Sequence, residues 1–137
     1  MDTAPQITAP RPDELNLAFY QATVAASQLC VQHCTRCGSW THPPRYFCPE
    51  CTSPDFSFDR VSGAATVYSY SISHFSVEPA WKPLLPYAVI VAELAEGPRV
   101  IALARGMAPG DVHIGMPVRI TTERRSDEFA LFWAEKA

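Results

Sequence analysis

Four of the five cysteines in this 137-residue chain form two pairs, Cys34-Thr-Arg-Cys37 and Cys48-Pro-Glu-Cys51, with ten residues between them. No other feature restricts the fold as strongly. Each C-x-x-C sets two sulfurs on one tight turn whose following backbone N–H groups point back at them, and two such knuckles face to face make a tetrahedral S₄ site. Gly38 follows the first knuckle directly, where a tight turn needs it. Residues 1–12 have no apolar run after a basic start, hence no secretory signal, and the chain is expected to be cytoplasmic. Thiols in that compartment stay reduced, so the spacing points to a metal site formed by Cys34, Cys37, Cys48 and Cys51 rather than to disulfides.

Zinc is favoured over iron because a folding role needs no redox chemistry; iron, held by the same ligands in rubredoxin, stays open as the alternative. With all four positions filled by protein there is no place for an activated water, so one structural Zn²⁺ per chain is expected and no catalytic one. Four thiolates and the ion move the formal charge from -3 to about -5. Cys30 reads as a small thiol packed on a half-buried strand. His33 and His42 lie inside the metal region and read as surface residues or neighbours of the site.

The 11 basic residues are scattered, Arg124-Arg125 being the one adjacent pair, and the balance is acidic. No positive stripe forms for a phosphate backbone, so no nucleic-acid partner is expected. The longest apolar run, residues 87–92, is six residues long, against about 20 for a membrane-spanning helix. Thirteen prolines make helix scarce and loops stiff.

Residues 1–13, with three prolines, read as a loose leader that ends at Asp13, a helix N-cap. Leu15, Phe19, Ala22 and Ala26 then recur at helical spacing, placing one N-terminal helix within 14–29. Leu29 and Val31 alternate with Cys30 and Gln32 as a strand does. Beyond the cysteines, 56–59 and 64–73 read as strands, with Tyr68, Tyr70 and Ile72 on one face. The segment 75–86 is too rich in proline for regular structure. Turn residues Glu96-Gly97-Pro98 and Ser126-Asp127 separate four more strands, giving about five after residue 60, enough to close a small barrel or sandwich.

Cys34-x-x-Cys37-Gly38, Pro43-Pro44-Arg45, Cys48-Pro49-x-Cys51, Ser62-Gly63, Val67-Tyr68-Ser69-Tyr70 and Gly115-Met116-Pro117-Val118 occur in this order. With them the chain resembles the acyl-CoA-associated zinc-ribbon/OB-fold family, domain of unknown function 35, from about residue 14 to residue 132. The resemblance implies a mainly β protein with an N-terminal helix, a rubredoxin-like zinc ribbon over 30–60 and a five-stranded OB-fold barrel over 61–137. It also implies a thiolase-fold partner subunit that carries the reactive groups, with acyl-CoA at the shared interface. The chain would then be a non-catalytic accessory subunit of an acyltransferase, thiolase or retro-aldolase acting in lipid or steroid side-chain metabolism.

The residues agree in lacking a nucleophile, base and orienting group at legible spacing. Asp111 and His113, the nearest thing to an acid–base pair, sit between glycines in a turn. Trp81 and Lys82 are candidate contacts for the partner or for CoA phosphates. A single-stranded nucleic-acid module, using Tyr68, Tyr70 and Phe75, is the alternative that fold class alone offers, and the acidic balance opposes it.

Overall fold

In the computed structural model, which describes residues 9–137, Asp13 opens the one α-helix among them, α1 (Glu14–Ala26). Its carboxylate accepts the Asn16 N–H at 2.8 Å, and Glu14 lies in the first turn, where the helix dipole favours an acid. Of the expected leader and the signal-free N-terminus, residues 1–8 lie outside the described residues. Instead of reaching residue 29 the helix stops at Ala26. Ser27 turns left-handed at φ 51°, and the Gln28 N–H donates to the Thr23 carbonyl at 3.3 Å, closing the last turn.

The chain then enters a three-stranded antiparallel sheet in the order β2–β1–β3, formed by β1 (Cys30–Cys34), β2 (Trp40–Thr41) and β3 (Phe56–Arg60). A two-residue strand inside a Cys- and Pro-rich run has no alternation to read, so β2 is new. The alternation expected at 29–32 is absent too: Leu29, Cys30, Val31 and Gln32 are all buried. Both sides of β1 are covered. On the helix side, the Cys30 N–H donates to the Thr23 hydroxyl at 3.2 Å. Elsewhere the Gln32 amide exchanges hydrogen bonds with the Arg45 backbone at 2.7 and 2.9 Å, which lets a polar group lie buried.

Five strands build the second half: β4 (Ala64–Ser73), β5 (Tyr87–Leu94), β6 (Arg99–Ala104), β7 (Pro117–Ser126) and β8 (Phe129–Lys136), closed in the order β4–β5–β6–β8–β7. The β6–β8 pair is parallel and the rest antiparallel. Every second residue of β5, from Ala88 to Leu94, points inward and meets Val67, Val100, Ala102, Val118 and Ala134. Gly63, at φ 84°, admits the barrel wall: a Cβ there would lie 2.8 Å from the Ile120 carbonyl oxygen.

One bulge redirects β4. The extra residue between Val67 and Ser69 breaks the alternation, so Tyr68, Tyr70 and Ile72 do not share a face. Tyr70 and Ile72 pair with Ile90 and Ala88, both buried, whereas the Arg99 guanidinium lies 3.5 Å from the centre of the Tyr68 ring on the outer surface. The proline-dense segment also holds regular structure, a 3₁₀ helix over Pro79–Leu84. Its i→i+3 bonds run from the Trp81 and Leu85 N–H groups, so Pro79 and Pro83 fall where no donor is needed.

Phe19 joins the parts. Its ring, 1% exposed, lies 4.9 Å from His42, 6.5 Å from Phe58 and 5.9 Å from Phe132, touching ribbon and barrel from the helix. No helix among the described residues is long and apolar enough to cross a membrane.

Candidate metal centre

The sulfurs of Cys34, Cys37, Cys48 and Cys51 all lie within 4.8 Å of one another. Cys34 stands 3.6 Å from Cys51, and Cys37 stands 3.6 Å from Cys48. Four sulfurs bound tetrahedrally at about 2.3 Å are roughly 3.8 Å apart, so this donor set fits one zinc-sized ion. None of the five cysteines is in a disulfide.

The two knuckles repeat one backbone pattern. In the first, the Gly38 N–H donates to the Cys34 carbonyl at 3.0 Å and the Cys34 N–H to Ser39 at 2.9 Å; in the second, Thr52 donates to Cys48 at 2.8 Å and Cys48 to Ser53 at 2.9 Å. The residue after each second cysteine is left-handed, Gly38 at φ 80° and Thr52 at φ 64°. Glycine adopts this freely, but a β-branched threonine there costs about 1–3 kcal/mol, so the second knuckle holds Thr52 against its preference.

Backbone N–H groups tune the sulfurs. Those of Cys37 and Arg36 draw the Cys34 thiol below its usual range, and the Ser39 hydroxyl and N–H draw Cys37 down to about 6. The Ser53 N–H pulls on Cys51 as well, but burial and the three neighbouring sulfurs outweigh it and push Cys51 up to about 12. A cation bound among the four sulfurs offsets the negative charge that their ionisation brings together.

Neither histidine joins the sulfur cluster. His33 lies flat on Trp40, ring centres 3.9 Å apart, with Nδ1 2.8 Å from the Asp59 carboxylate and Nε2 3.1 Å from the Gly38 carbonyl oxygen. The Ser57 hydroxyl, then His33, hold the Asp59 carboxyl below the usual range. His33 thus ties β3 to the first knuckle. Sequence reasoning missed this brace, because no motif links residues 33, 40 and 59.

His42 is not a surface residue. Its ring packs on Phe19, Nδ1 is buried without a hydrogen-bond partner, and burial pushes its pKa down to about 4. Above about pH 6.5 the ring is neutral whether the chain is folded or not; below that the unfolded chain takes up the proton first, so stability falls as pH drops toward 4. The loss across that window is roughly 3 kcal/mol. Urea titrations of the wild type and His42→Phe between pH 7 and 4 should show a shallower acid decline in the variant; parallel declines would contradict this assignment.

Cys30 is buried beneath α1, with Sγ 3.7 Å from the Ala22 carbonyl oxygen, and burial raises its pKa. Asp111 and His113 form no acid–base pair: the imidazole Nδ1 faces the Asp111 main-chain oxygen at 3.3 Å. Trp81 leans on Tyr87, ring centres 5.4 Å apart, and Lys82 is exposed.

Residues 25–57 match the model of the ChsH2 rubredoxin-like zinc ribbon domain, and residues 59–123 match that of the ChsH2 C-terminal OB-fold domain. A DUF35 domain-containing scaffold protein of Methanocaldococcus jannaschii is 33% identical over 96 residues, 69% of this chain and 67% of that protein. The chain belongs to the DUF35 family. This DUF35 chain is also 36% identical over 115 residues to a probable enoyl-CoA hydratase alpha subunit of Thermomonospora curvata, covering 83% of the chain but 35% of that relative. It spans about a third of that protein's length. The solved Ltp2-ChsH2(DUF35) aldolase superimposes with a TM-score of 0.80 at 33% identity, over 93% of this chain and 98% of that one. The cysteine cluster is the site of a zinc ribbon, positioned to hold one ion.

Proposed function

We propose that this chain is a non-catalytic accessory subunit of a thiolase-like acyl-CoA enzyme, bracing a thiolase-fold subunit and helping to shape its acyl-CoA site. The observation that carries the reading is the superposition on the Ltp2-ChsH2(DUF35) aldolase, which covers 93% of this chain and 98% of that one. Cys34, Cys37, Cys48 and Cys51 ligate a structural Zn²⁺ that ties the two knuckles of the ribbon together, and no step of the reaction passes through it. The histidines are occupied in ways that support this division of labour: His33 is engaged by Asp59 and Gly38, His42 is buried, and His113 faces a main-chain oxygen. The complex works in the cytoplasm, where cysteines outside disulfides, as all five are here, stay reduced. Its chemistry, acyl transfer or retro-aldol cleavage in lipid or steroid side-chain breakdown, belongs to the partner.

Reconstitution tests this reading. Combined with the thiolase-fold protein encoded nearest its gene, the chain should raise turnover of acyl-CoA substrates above that of either protein alone. Turnover by this chain alone, or tight salt-dependent binding of single-stranded DNA or RNA without any such partner, would overturn it.

A further inference from the structure

The barrel closes on its shortest ladder where β6 meets β8: the parallel pairing covers only Leu103 with Trp133 and Ala104 with Ala134. A cavity of about 170 Å³ lies beside this seam. Leu103, Ala104 and Trp133 line it from the seam, Tyr87 from the start of β5, and Leu84 and Met107 from segments outside the barrel strands. Among the described residues, no charged side chain lines it.

Trp133 is 7% exposed, yet its indole Nε1 has no hydrogen-bond partner. A buried tryptophan ordinarily finds an acceptor for that N–H, so its lack of one marks a place where an acceptor is wanted. The nearest cation does not serve a ligand. Arg105, whose guanidinium lies 4.8 Å from the centre of the same ring, is ion-paired with Glu135 at 2.7 Å and donates to the Thr121 hydroxyl at 3.3 Å. Its charge is answered within the chain, and nothing at the seam recruits an anion.

We infer that this cavity binds an uncharged, ring-sized molecule carrying one oxygen, such as a phenol or a cyclic ketone, with the oxygen accepting from the Trp133 indole N–H. Size sets the ring. An apolar protein cavity of about 150 Å³ holds one benzene, so the volume here suits a six-membered ring with one small substituent. The apolar lining sets the neutrality, because a charge placed there would lose its water without gaining a partner. The orphaned donor sets the oxygen. Met107 suits a site of this kind, since its unbranched thioether side chain adapts to the shape it covers. This inference stands apart from the accessory-subunit reading and does not depend on it.

Titrating the ¹⁵N-labelled, zinc-loaded chain with phenol, cyclohexanone, benzene and benzoate tests it. Phenol and cyclohexanone should shift the Trp133 indole N–H and the Leu103 and Met107 amides saturably, at roughly millimolar concentration or below. Benzene should move the same amides with a smaller effect on the indole, and benzoate should move neither. Ala104→Leu, which fills the cavity from the seam, should weaken phenol binding on the order of tenfold or more. Met107→Trp fills it from the outer side and carries the same expectation if the first variant does not fold. No saturable shift with any of the three neutral rings overturns the inference, as does binding undiminished in the folded variants. Benzoate binding as tightly as phenol overturns the neutral class, and phenol binding that leaves the Trp133 N–H in place overturns the hydrogen bond assigned to it.

Discussion

Chelating the zinc at elevated temperature should expose residues 30–60 to trypsin, with Arg36 and Arg45 cut before any site in the barrel. The ribbon sheet has strands of five, two and five residues and lacks the length to hold itself together in water. What closes it is the crossing of two knuckles at one point, Cys34 to Cys51 and Cys37 to Cys48. Structural zinc contributes on the order of 10 kcal/mol in modules of this size, far more than any single contact in the chain. The barrel has its own closed hydrogen-bond circuit and its own core, so it should outlast the ribbon. Cys48→Ser, which removes a buried ligand, should reproduce the pattern without chelator. First cleavage within 61–137, or a digestion pattern indifferent to chelator, would contradict this picture.

Phe19→Ala should cost about 3–5 kcal/mol in urea unfolding, the range for removing a fully buried phenylalanine ring. The effect should also be visible in the shape of the transition. Phe19 is the ring through which α1 touches His42 and Phe58 of the ribbon and Phe132 of the barrel at once. Its loss opens a cavity at a three-way junction where no single element can collapse to fill it. Ribbon and barrel, which should unfold together in the wild type, should then melt separately as reported by Trp40 and Trp133 fluorescence. A loss below about 1 kcal/mol would show that the junction is held by other contacts.

The metal site was the most legible part of the chain, because spacing alone constrains sulfurs that must meet at one ion: Cys34, Cys37, Cys48 and Cys51 converge as two C-x-x-C turns require. The strands of the barrel were legible for a similar reason. Alternation in β5 and β6 is local, and one solvated face preserves it. Where tertiary contacts override local pattern the reading failed. β1 is buried on both sides, so Cys30 and Gln32 do not look outward; one inserted residue in β4 separates Tyr68 from Tyr70. His42 read as a surface residue or a neighbour of the site because nothing nearby in sequence announces Phe19, which is brought against it by the fold. The 3₁₀ turn was hidden by treating Pro79 and Pro83 as breakers without asking which N–H groups that turn uses.

Native mass spectrometry of the tagged chain recovered from its own cells tests metal and partner together, since one spectrum gives both bound metal mass and the mass of any stoichiometric subunit. The expected spectrum shows a chain carrying a single zinc in fixed ratio with a thiolase-fold protein. A zinc-loaded chain that is always alone would contradict its role as an accessory subunit, and a metal-free chain with an intact ribbon would contradict the structural part assigned to the zinc.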